Sequence, residues 1–391
     1  MILTGSFDFP AIERVVYGVP VARALHEEVI RLRAQRVFLL VSRTMNRTTD
    51  EVDKVRAELG EFCVGVHDHM PPHTPRDAVI DAAMKARDLG ADVIVTFGGG
   101  SLTDAGKVMQ ICIRHDIREM DQLERFRMVT NEDGSRHLPD YDAPVVRQIA
   151  IPTTLSGGEF NAQAGCTDPR IKVKQSYRHP FLVPRTTIYD PSPTMHTPLD
   201  VWLSTGIRAI DHCVEGLCAK HPNPVNDGYA LQGLRLLTQN LPRTKRDPTD
   251  LHARQQCQFA IWLSMGASSH LGVVKGISHA IGHVLGGTCN VPHGITSCLT
   301  IPAALRYNKP ANHERQKMVA EAMGSPGADA ADLLQAFIHD LGMPSRLSEV
   351  GVGREHFPRI AANTMRDHYL HHNPRLITDP SQVEEILESI A

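Results

Sequence analysis

The chain has 391 residues and a formal net charge of −3, with 42% hydrophobic and 22% charged residues. That length is too great for a single hydrophobic core and predicts two domains. The charge is small and contains no block of like charges, which excludes proteins that bind nucleic acid or anionic membranes through a basic face. The longest apolar runs are the length of strands, far below the roughly 20 residues of a membrane-spanning helix.

The eight cysteines are scattered along the chain and form no Cys-x-x-Cys pair. This pattern indicates reduced thiols, and it argues against a disulfide framework or a zinc site built from cysteines. The first residues lack a basic region followed by an apolar core, so we expect no signal peptide and predict a cytoplasmic location.

The first half alternates buried-strand and helix patterns. Near-continuous β-branched segments separated by helices predict a parallel sheet covered on both faces, as in Rossmann-like α/β domains. The charged segment 114–143 is predicted to be an inserted surface excursion outside the core. The predicted strands are 36–41, 91–97 and 146–151, and the predicted helices are 49–59 and 77–89.

The pattern changes after Asp190-Pro191, where no further strand is predicted. An α/β half followed by an all-α half predicts a dinucleotide-binding domain over 1–190 and a helical substrate domain over 191–391, with the active site in the cleft between them. The helices predicted in the second half are 198–219, 226–240, 250–269, 276–287, 294–306 and 311–323.

Polar or glycine-rich segments follow each predicted strand. Glycines after a buried strand let the backbone approach a diphosphate closely, and the following helix presents its N-terminal amides to that diphosphate. The alternative is a tight turn that binds no ligand. Adjacent threonines after the next strand suit a ribose or phosphate, or else cap a helix. The segments are Ser42-Arg43, Gly98-Gly99-Gly100-Ser101 with Asp104 and Lys107, and Thr153-Thr154.

Arg43 lies where an acidic residue would bind the adenosine ribose and repel a 2′-phosphate. An arginine there has the opposite preference. We therefore expect NADPH to be accepted along with NADH.

Three histidines stand in a segment punctuated by glycine and proline. His279 and His283 are four residues apart and therefore share one face of a predicted helix. His293 follows in a Pro-His-Gly sequence that we interpret as a turn returning toward that face. Such a set suits a metal ion or acid–base chemistry. Three unconnected histidines are the alternative.

A second helix, from about Pro198, carries Arg208 and His212 on one face. The spacing places Asp211 about 100° around the helix from His212, so the two would not meet at one ligand. Arg208 could instead form a salt bridge with Asp211 or Glu215.

These motifs, in this order, resemble those of the iron-containing (group III) alcohol dehydrogenase superfamily, whose fold is dehydroquinate synthase-like. The resemblance spans nearly the whole chain. It implies that NADH or NADPH binds to Gly98–Ser101 with Asp104, to Thr153 and Thr154, and to Lys174, which lies where the family has a cofactor lysine. It also implies a homodimer, joined through the N-terminal strand around Phe7–Val16.

That family holds Fe²⁺ or Zn²⁺ through an aspartate and three histidines. Carried over to this chain, the histidines are His212, His279 and His293, and the aspartate position is Arg208. A guanidinium cannot be a ligand, and its charge repels a cation, so we predict that no metal binds.

The maleylacetate reductase branch also lacks the aspartate, and segments 187–191, 283–287 and 290–293 are similar to it. That branch usually has asparagine at the position of Arg208, and its counterpart of 114–143 is shorter. The resemblance implies NAD(P)H-dependent reduction of a small oxo-acid, maleylacetate to 3-oxoadipate, in the breakdown of aromatic compounds.

We assign roles on this basis. His279, His283 and His293 would supply the proton and polarise the substrate, and Arg208 and His212 would bind its carboxylate. A metal-dependent alcohol dehydrogenase that tolerates Arg208, and an inactive relative kept as a binding protein, are the alternatives.

Overall fold

The structure is a computed structural model that describes Thr4, Phe7 and residues 9–131, 135–269 and 272–391, without the side chains of 267–269. The chain divides into two compact units. One comprises Phe9–Val129 and Arg136–Thr197; the other comprises Pro198–Ala391 with the described residues of 1–8 and 130–135. The main division therefore falls shortly after the predicted boundary between 190 and 191.

The first unit contains a parallel sheet of six strands in the order β1-β10-β7-β4-β2-β3. The predicted strands 36–41, 91–97 and 146–151 correspond to β2, β4 and β7, which are neighbours in the middle of this sheet. In chain order the described strands of the whole chain, including the separate pairs β5-β6 and β8-β9, are β1 (Arg14–Tyr17), β2 (Val37–Val41), β3 (Cys63–His67), β4 (Val93–Gly98), β5 (Val129–Thr130), β6 (Arg136–His137), β7 (Arg147–Pro152), β8 (Gln163–Asp168), β9 (Val173–Arg178) and β10 (Thr186–Tyr189). The predicted α/β class is confirmed.

Five helices belong to this unit: α1 (Val21–Leu32), α2 (Arg43–Thr48), α3 (Glu51–Leu59), α4 (Arg76–Asp88) and α5 (Gly100–Arg114). The single helix predicted over 49–59 is thus preceded by a separate short helix, because the backbone leaves helical geometry at Thr49. Parallel strands with helices between them bury apolar residues on both faces of the sheet, in two separate core clusters.

The prediction that 114–143 lies outside the core is wrong for part of this segment. A 3-10 helix over Met120–Phe126 buries Leu123 and Phe126 in the core cluster that also contains α4 and α5 residues. The fully buried Arg76 donates to Glu124 Oε1 at 2.6 Å, which ties this segment to α4. Seven residues are too few to show a helical apolar period. Residues 132–134 of the excursion lie outside the described residues.

The second unit is helical, and among the described residues no strand follows β10. Helices predicted at 294–306 and 311–323 are joined in α10, which has a non-helical residue at Asn312. The last three helices were not predicted. The helices are α6 (Leu199–Leu217), α7 (Pro224–Arg246), α8 (Leu251–Ser269), α9 (Ile277–Cys289), α10 (His293–Ala322), α11 (Ala330–Asp340), α12 (Phe357–Thr364) and α13 (Pro380–Glu388).

Residues of α9, α10, α12 and α13 share one apolar core, which fixes α9 and the start of α10 against each other. Within the described ranges, no helix is both long and apolar enough to cross a membrane.

Candidate active site

Helix α6 contributes a buried stripe of ionisable side chains. Arg208, Asp211, His212 and Glu215 follow one another at the spacing of a single helix face, and none is more than 7% exposed. Buried charged groups require partners, because an unpaired charge inside a protein is costly. The partners come from α10, which packs on α6, and from Ser278 and His279 of α9.

Glu215 joins α6 to the N-terminus of α9. Its Oε1 accepts a hydrogen bond from the Ser278 amide at 2.9 Å, and its Oε2 lies 2.6 Å from His279 Nδ1. The first contact satisfies an amide that the helix itself cannot pair. The second fixes the imidazole ring. His279 Nε2, at the other end of the ring, is buried and has no hydrogen-bond partner among the described residues.

Arg208 lies at the centre of a second set of contacts. Its Nη1 donates to Ser297 Oγ at 2.9 Å and lies 3.7 Å from Asp211 Oδ2. Its Nη2 is 2.9 Å from His293 Nε2. Because a guanidinium is always a donor, His293 Nε2 accepts this bond and the ring carries its proton on Nδ1. The predicted salt bridge to Asp211 is therefore present, but Arg208 also contacts a predicted site histidine.

Asp211 forms hydrogen bonds to both α9 and α10. Its Oδ2 accepts hydrogen bonds from Ser278 Oγ at 3.0 Å and from Ser297 Oγ at 2.6 Å. It also lies 3.5 Å from His279 Nδ1. A continuous set of polar contacts thus runs from His279 to Arg208 and His293.

The histidines form two stacked pairs. The rings of His212 and His279 are 5.1 Å apart, and those of His283 and His293 are 5.8 Å apart and nearly parallel. The alternative of three unconnected histidines is therefore wrong. The interpretation of His293 as part of a turn is also wrong, because it is the first residue of α10, after Pro292.

A 3-10 helix over His368–His372 completes this cluster and was not predicted. Tyr369 packs against both His279 and His283, with ring centroids 5.8 and 5.3 Å away. Asp367 Oδ2 lies 3.0 Å from His283 Nδ1. This contact orients the half-exposed His283 ring so that its Nε2 is the atom left for a ligand.

Lys275, two residues before α9 begins, adds a second buried basic side chain and was also missed. It is 8% exposed. Burial and the Arg208 guanidinium lower the pKa of Lys275 to about 7. Burial, together with Lys275 and Arg208, holds the pKa values of His212 and His279 well below the usual range. These histidines are neutral acceptors or donors at neutral pH.

The predicted cofactor residues cluster at the carboxyl ends of the central strands. Gly98 has φ 153°, and a Cβ there would collide with the Leu102 side chain. A Cβ at Gly100 would lie 2.8 Å from Ser156 Oγ. Helix α5 begins at Gly100 without a side-chain cap. Glycine is thus required here, and the free helix N-terminus suits a diphosphate.

The other predicted cofactor residues surround this turn. Thr153 donates its amide to Gly98 O at 3.0 Å, and Ser42 donates its amide to Phe97 O at 2.9 Å, which places the ends of β7, β4 and β2 side by side. Arg43 begins α2 with an exposed side chain. The carboxyl ends of parallel strands are where open α/β sheets bind ligands.

Two residues from different elements meet beyond this turn. Asp104 Oδ2 lies 3.3 Å from Lys174 Nζ of β9 and accepts a hydrogen bond from the Gly165 amide. Lys107 is fully buried and donates to the Gly158 and Gln163 carbonyls instead. Its Nζ lies 4.0 Å from Asp104 Oδ1, at the outer limit of an ion pair.

Comparison with known proteins gives matches in both units. Residues 12–191 match the model described as iron-containing alcohol dehydrogenase, and residues 202–391 match the model of the C-terminal domain of the Fe-containing alcohol dehydrogenase family. The chain belongs to the iron-containing alcohol dehydrogenase family. Its members are NAD(P)-dependent oxidoreductases, and so is this protein.

Three relatives of the chain illustrate the range within the family. Maleylacetate reductase 1 of Cupriavidus pinatubonensis is 32% identical over 93% of this chain and 90% of its own. Dehydrogenase FUM7 of Gibberella moniliformis is 29% identical over 95% of both chains. The crystal structure of maleylacetate reductase from Agrobacterium tumefaciens has a TM-score of 0.82 and 26% identity, covering 100% of this chain and 98% of its own.

Proposed function

We propose that the protein is an NAD(P)H-dependent reductase of a small oxo-acid, with maleylacetate as substrate and 3-oxoadipate as product. Maleylacetate reductases are prominent among the similar proteins, at up to 32% identity. The observation that carries the proposal is the contact between Arg208 Nη2 and His293 Nε2, because it puts a permanent cation at the centre of the histidine cluster. A cation in that position suits a carboxylate substrate.

We assign the cofactor to the glycine turn and the substrate to the histidine cluster. The cofactor diphosphate binds at Gly98–Ser101, and the nicotinamide passes a hydride to the substrate carbon. His279, His283 and His293 polarise the substrate and deliver the proton, which is ordinary acid–base work. Arg208 and His212 bind a substrate carboxylate, through the guanidinium N–H groups that Ser297 and His293 leave available.

We further propose that catalysis requires no metal ion. The lone pair of His293 Nε2 faces a guanidinium and is not available to a cation. The positive charge of Arg208 disfavours a divalent ion beside His212 and His279. The donor set at the family's metal positions therefore does not fit a metal, and the Arg208 charge takes the place of the ion.

A metal-dependent alcohol dehydrogenase is the second candidate, and one observation favours it. Asp211, Glu215 and His279 each offer an atom within 4.8 Å of the others, the geometry of a metal site. Those atoms already have partners, however, since Asp211 accepts from two serines and Glu215 contacts His279. We therefore favour the metal-free assignment.

We also propose a cytoplasmic homodimer. All eight cysteines are free, which suits a reducing compartment. Strand β1 lies at the edge of the sheet, where a second chain would join through the predicted segment Phe7–Val16.

A substrate panel tests the function. Oxidation of NADH and NADPH is followed by absorbance with maleylacetate, other oxo-acids and simple aldehydes, before and after treatment with a chelator. We expect turnover with maleylacetate that the chelator does not reduce, with little activity on uncharged aldehydes. Activity confined to aldehydes and lost on chelation would support the second candidate, and no turnover with any substrate would support an inactive relative.

A further inference from the structure

A cavity lies at the amino ends of the central strands, at the opposite end of the sheet from the glycine turn. Its walls include Val93 and Arg147, the first residues of β4 and β7, and Arg185, which directly precedes β10. Arg33, which follows α1, also lines it. Strand β4 runs from this cavity to Gly98, over roughly 17 Å. Because open α/β sheets bind their ligands at the carboxyl ends of the strands, cofactor binding does not account for this cavity.

The cavity has the size and charge of a site for a small anion. Its volume is about 160 Å³. One water molecule needs roughly 10–15 Å³, and sites for drug-sized ligands begin at roughly 300 Å³. Its lining includes one carboxylate, that of Asp92, against three guanidinium groups, those of Arg33, Arg147 and Arg185. The lining therefore has an excess of positive charge.

Arg147 is held in one orientation and lacks a hydrogen-bond partner. Its Nη2 donates to Ala11 O at 3.2 Å and to Val183 O at 3.0 Å, and its guanidinium lies over the Phe181 ring, 5.2 Å from the centroid. Its Nε is buried and has no hydrogen-bond partner among the described residues. A buried donor without a partner is costly, and a fixed guanidinium can bind an oxyanion through two parallel N–H bonds.

Arg185 brings a second positive charge close to Arg147. Burial and the Arg185 guanidinium lower the pKa of Arg147, which shows that the two cations repel each other. The carboxylates nearby are already shared. Glu13 accepts from Arg185 and also from Arg31 Nη1 at 3.0 Å, and Asp92 accepts from two backbone amides at 2.7 and 3.0 Å. A further anion would relieve the repulsion between Arg147 and Arg185.

We propose that this cavity binds a small oxyanion with two negative charges, a phosphate group or a compact dicarboxylate. Both present paired oxygens that match the fork of a guanidinium. The anion contacts Arg147 and Arg185 inside the cavity and Arg33 at its rim. Arg33 is exposed, and its guanidinium forms no hydrogen bond or ion pair with the described residues. The site shares no residue with the cofactor and substrate sites described above.

The alternative is that these arginines only cap backbone carbonyl groups. Capping accounts for Arg147 Nη2, and Arg33 could offset the partial negative charge at the C-terminus of α1. It does not account for the buried Nε of Arg147 or for the close approach of Arg185. An anion in the cavity accounts for both.

Calorimetric titrations with sodium phosphate and with sodium succinate test the proposal. The protein is first saturated with NADH, so that the diphosphate position at Gly98–Ser101 is filled, and chloride keeps the ionic strength constant. We expect saturable binding of at least one anion at millimolar concentrations. Tighter binding of phosphate would assign the cavity to a phosphate group, and tighter binding of succinate would assign it to a dicarboxylate.

Variants locate the binding. Arg147→Met removes the charge and keeps an apolar side chain against Phe181, and we expect it to weaken binding about tenfold or more. Arg375→Met is the matched control and should change nothing. Arg375 also lies over an aromatic ring, that of Tyr307 at 4.2 Å, and also donates to a backbone carbonyl.

Arg33→Gln decides the question if Arg147→Met does not fold, because the Arg33 side chain is exposed. We expect it to weaken binding about threefold or more. The anion should also raise the melting temperature of the wild type and of Arg375→Met more than that of Arg33→Gln. The proposal is overturned if neither anion binds saturably, or if Arg33→Gln and the folded Arg147→Met bind as tightly as the wild type. The arginines would then be caps of carbonyl groups.

Discussion

The pairing of Arg208 with Asp211 makes a prediction about stability that can be worked out from the structure. The two charges are 3.7 Å apart and almost fully buried. At that distance, with an effective dielectric constant of about 20, their attraction is about 4 kcal/mol. Arg208→Met leaves Asp211 buried without its cation, and breaking such a pair typically costs about 3–5 kcal/mol. Because Lys275 also faces Asp211, we expect the lower end, about 3 kcal/mol.

The double variant separates the charge pair from simple loss of packing. Asp211→Asn should cost a similar amount, because it leaves the guanidinium unpaired. Arg208→Met combined with Asp211→Asn removes both charges, so its loss should be smaller than the sum of the single losses by about 2 kcal/mol or more. Urea unfolding followed by tryptophan fluorescence is the assay, because Trp202, one of the two tryptophans, is buried on α6. Single losses below about 1 kcal/mol, or additive losses, would refute the reasoning.

Three further predictions concern activity and ligands. Arg43→Asp should raise KM for NADPH tenfold or more and leave KM for NADH nearly unchanged; equal losses would place Arg43 away from the adenosine ribose. His283→Ala should lower kcat by about 10²-fold with unchanged NADH affinity, and a merely twofold loss would exclude a direct role. The Arg208→Asp variant should bind Zn²⁺, so that added Zn²⁺ raises the melting temperature of the variant and not of the wild type. Stoichiometric metal in the purified wild type would contradict this prediction.

The parts of the fold that the sequence predicts are those with strong local patterns. Strand β2 is wholly apolar, β4 nearly so, and β7 contains the apolar run Ile149–Ile151, all in the middle of the sheet, whereas the edge strand β1 is half exposed and β10 has only four residues. Short elements whose burial depends on distant partners carry little periodic signal.

The candidate site shows the same limit. His279 and His283 could be placed on one helix from their spacing, and Gly98–Ser101 from the preceding strand. The sequence does not predict the other residues of the site. Lys275 has no helical repeat around it. Asp367 and Tyr369 reach the site only through a 3-10 helix far along the chain. For His293 a signal was available: proline is common at the start of a helix, and Pro292 directly precedes α10.

The charge pair on α6 also limits how such a site can evolve. If position 208 once held an aspartate beside a bound metal, an arginine could not have replaced both in one neutral step. An arginine arriving before the carboxylate at position 211 would be a buried cation without a counterion, at a cost of several kcal/mol against a total stability of about 5–15 kcal/mol. A carboxylate arriving first, beside the metal, would already have a cation to face. The accessible mutational order is therefore Asp211 before Arg208, and reconstructed ancestors bearing Asp211 alone should still fold.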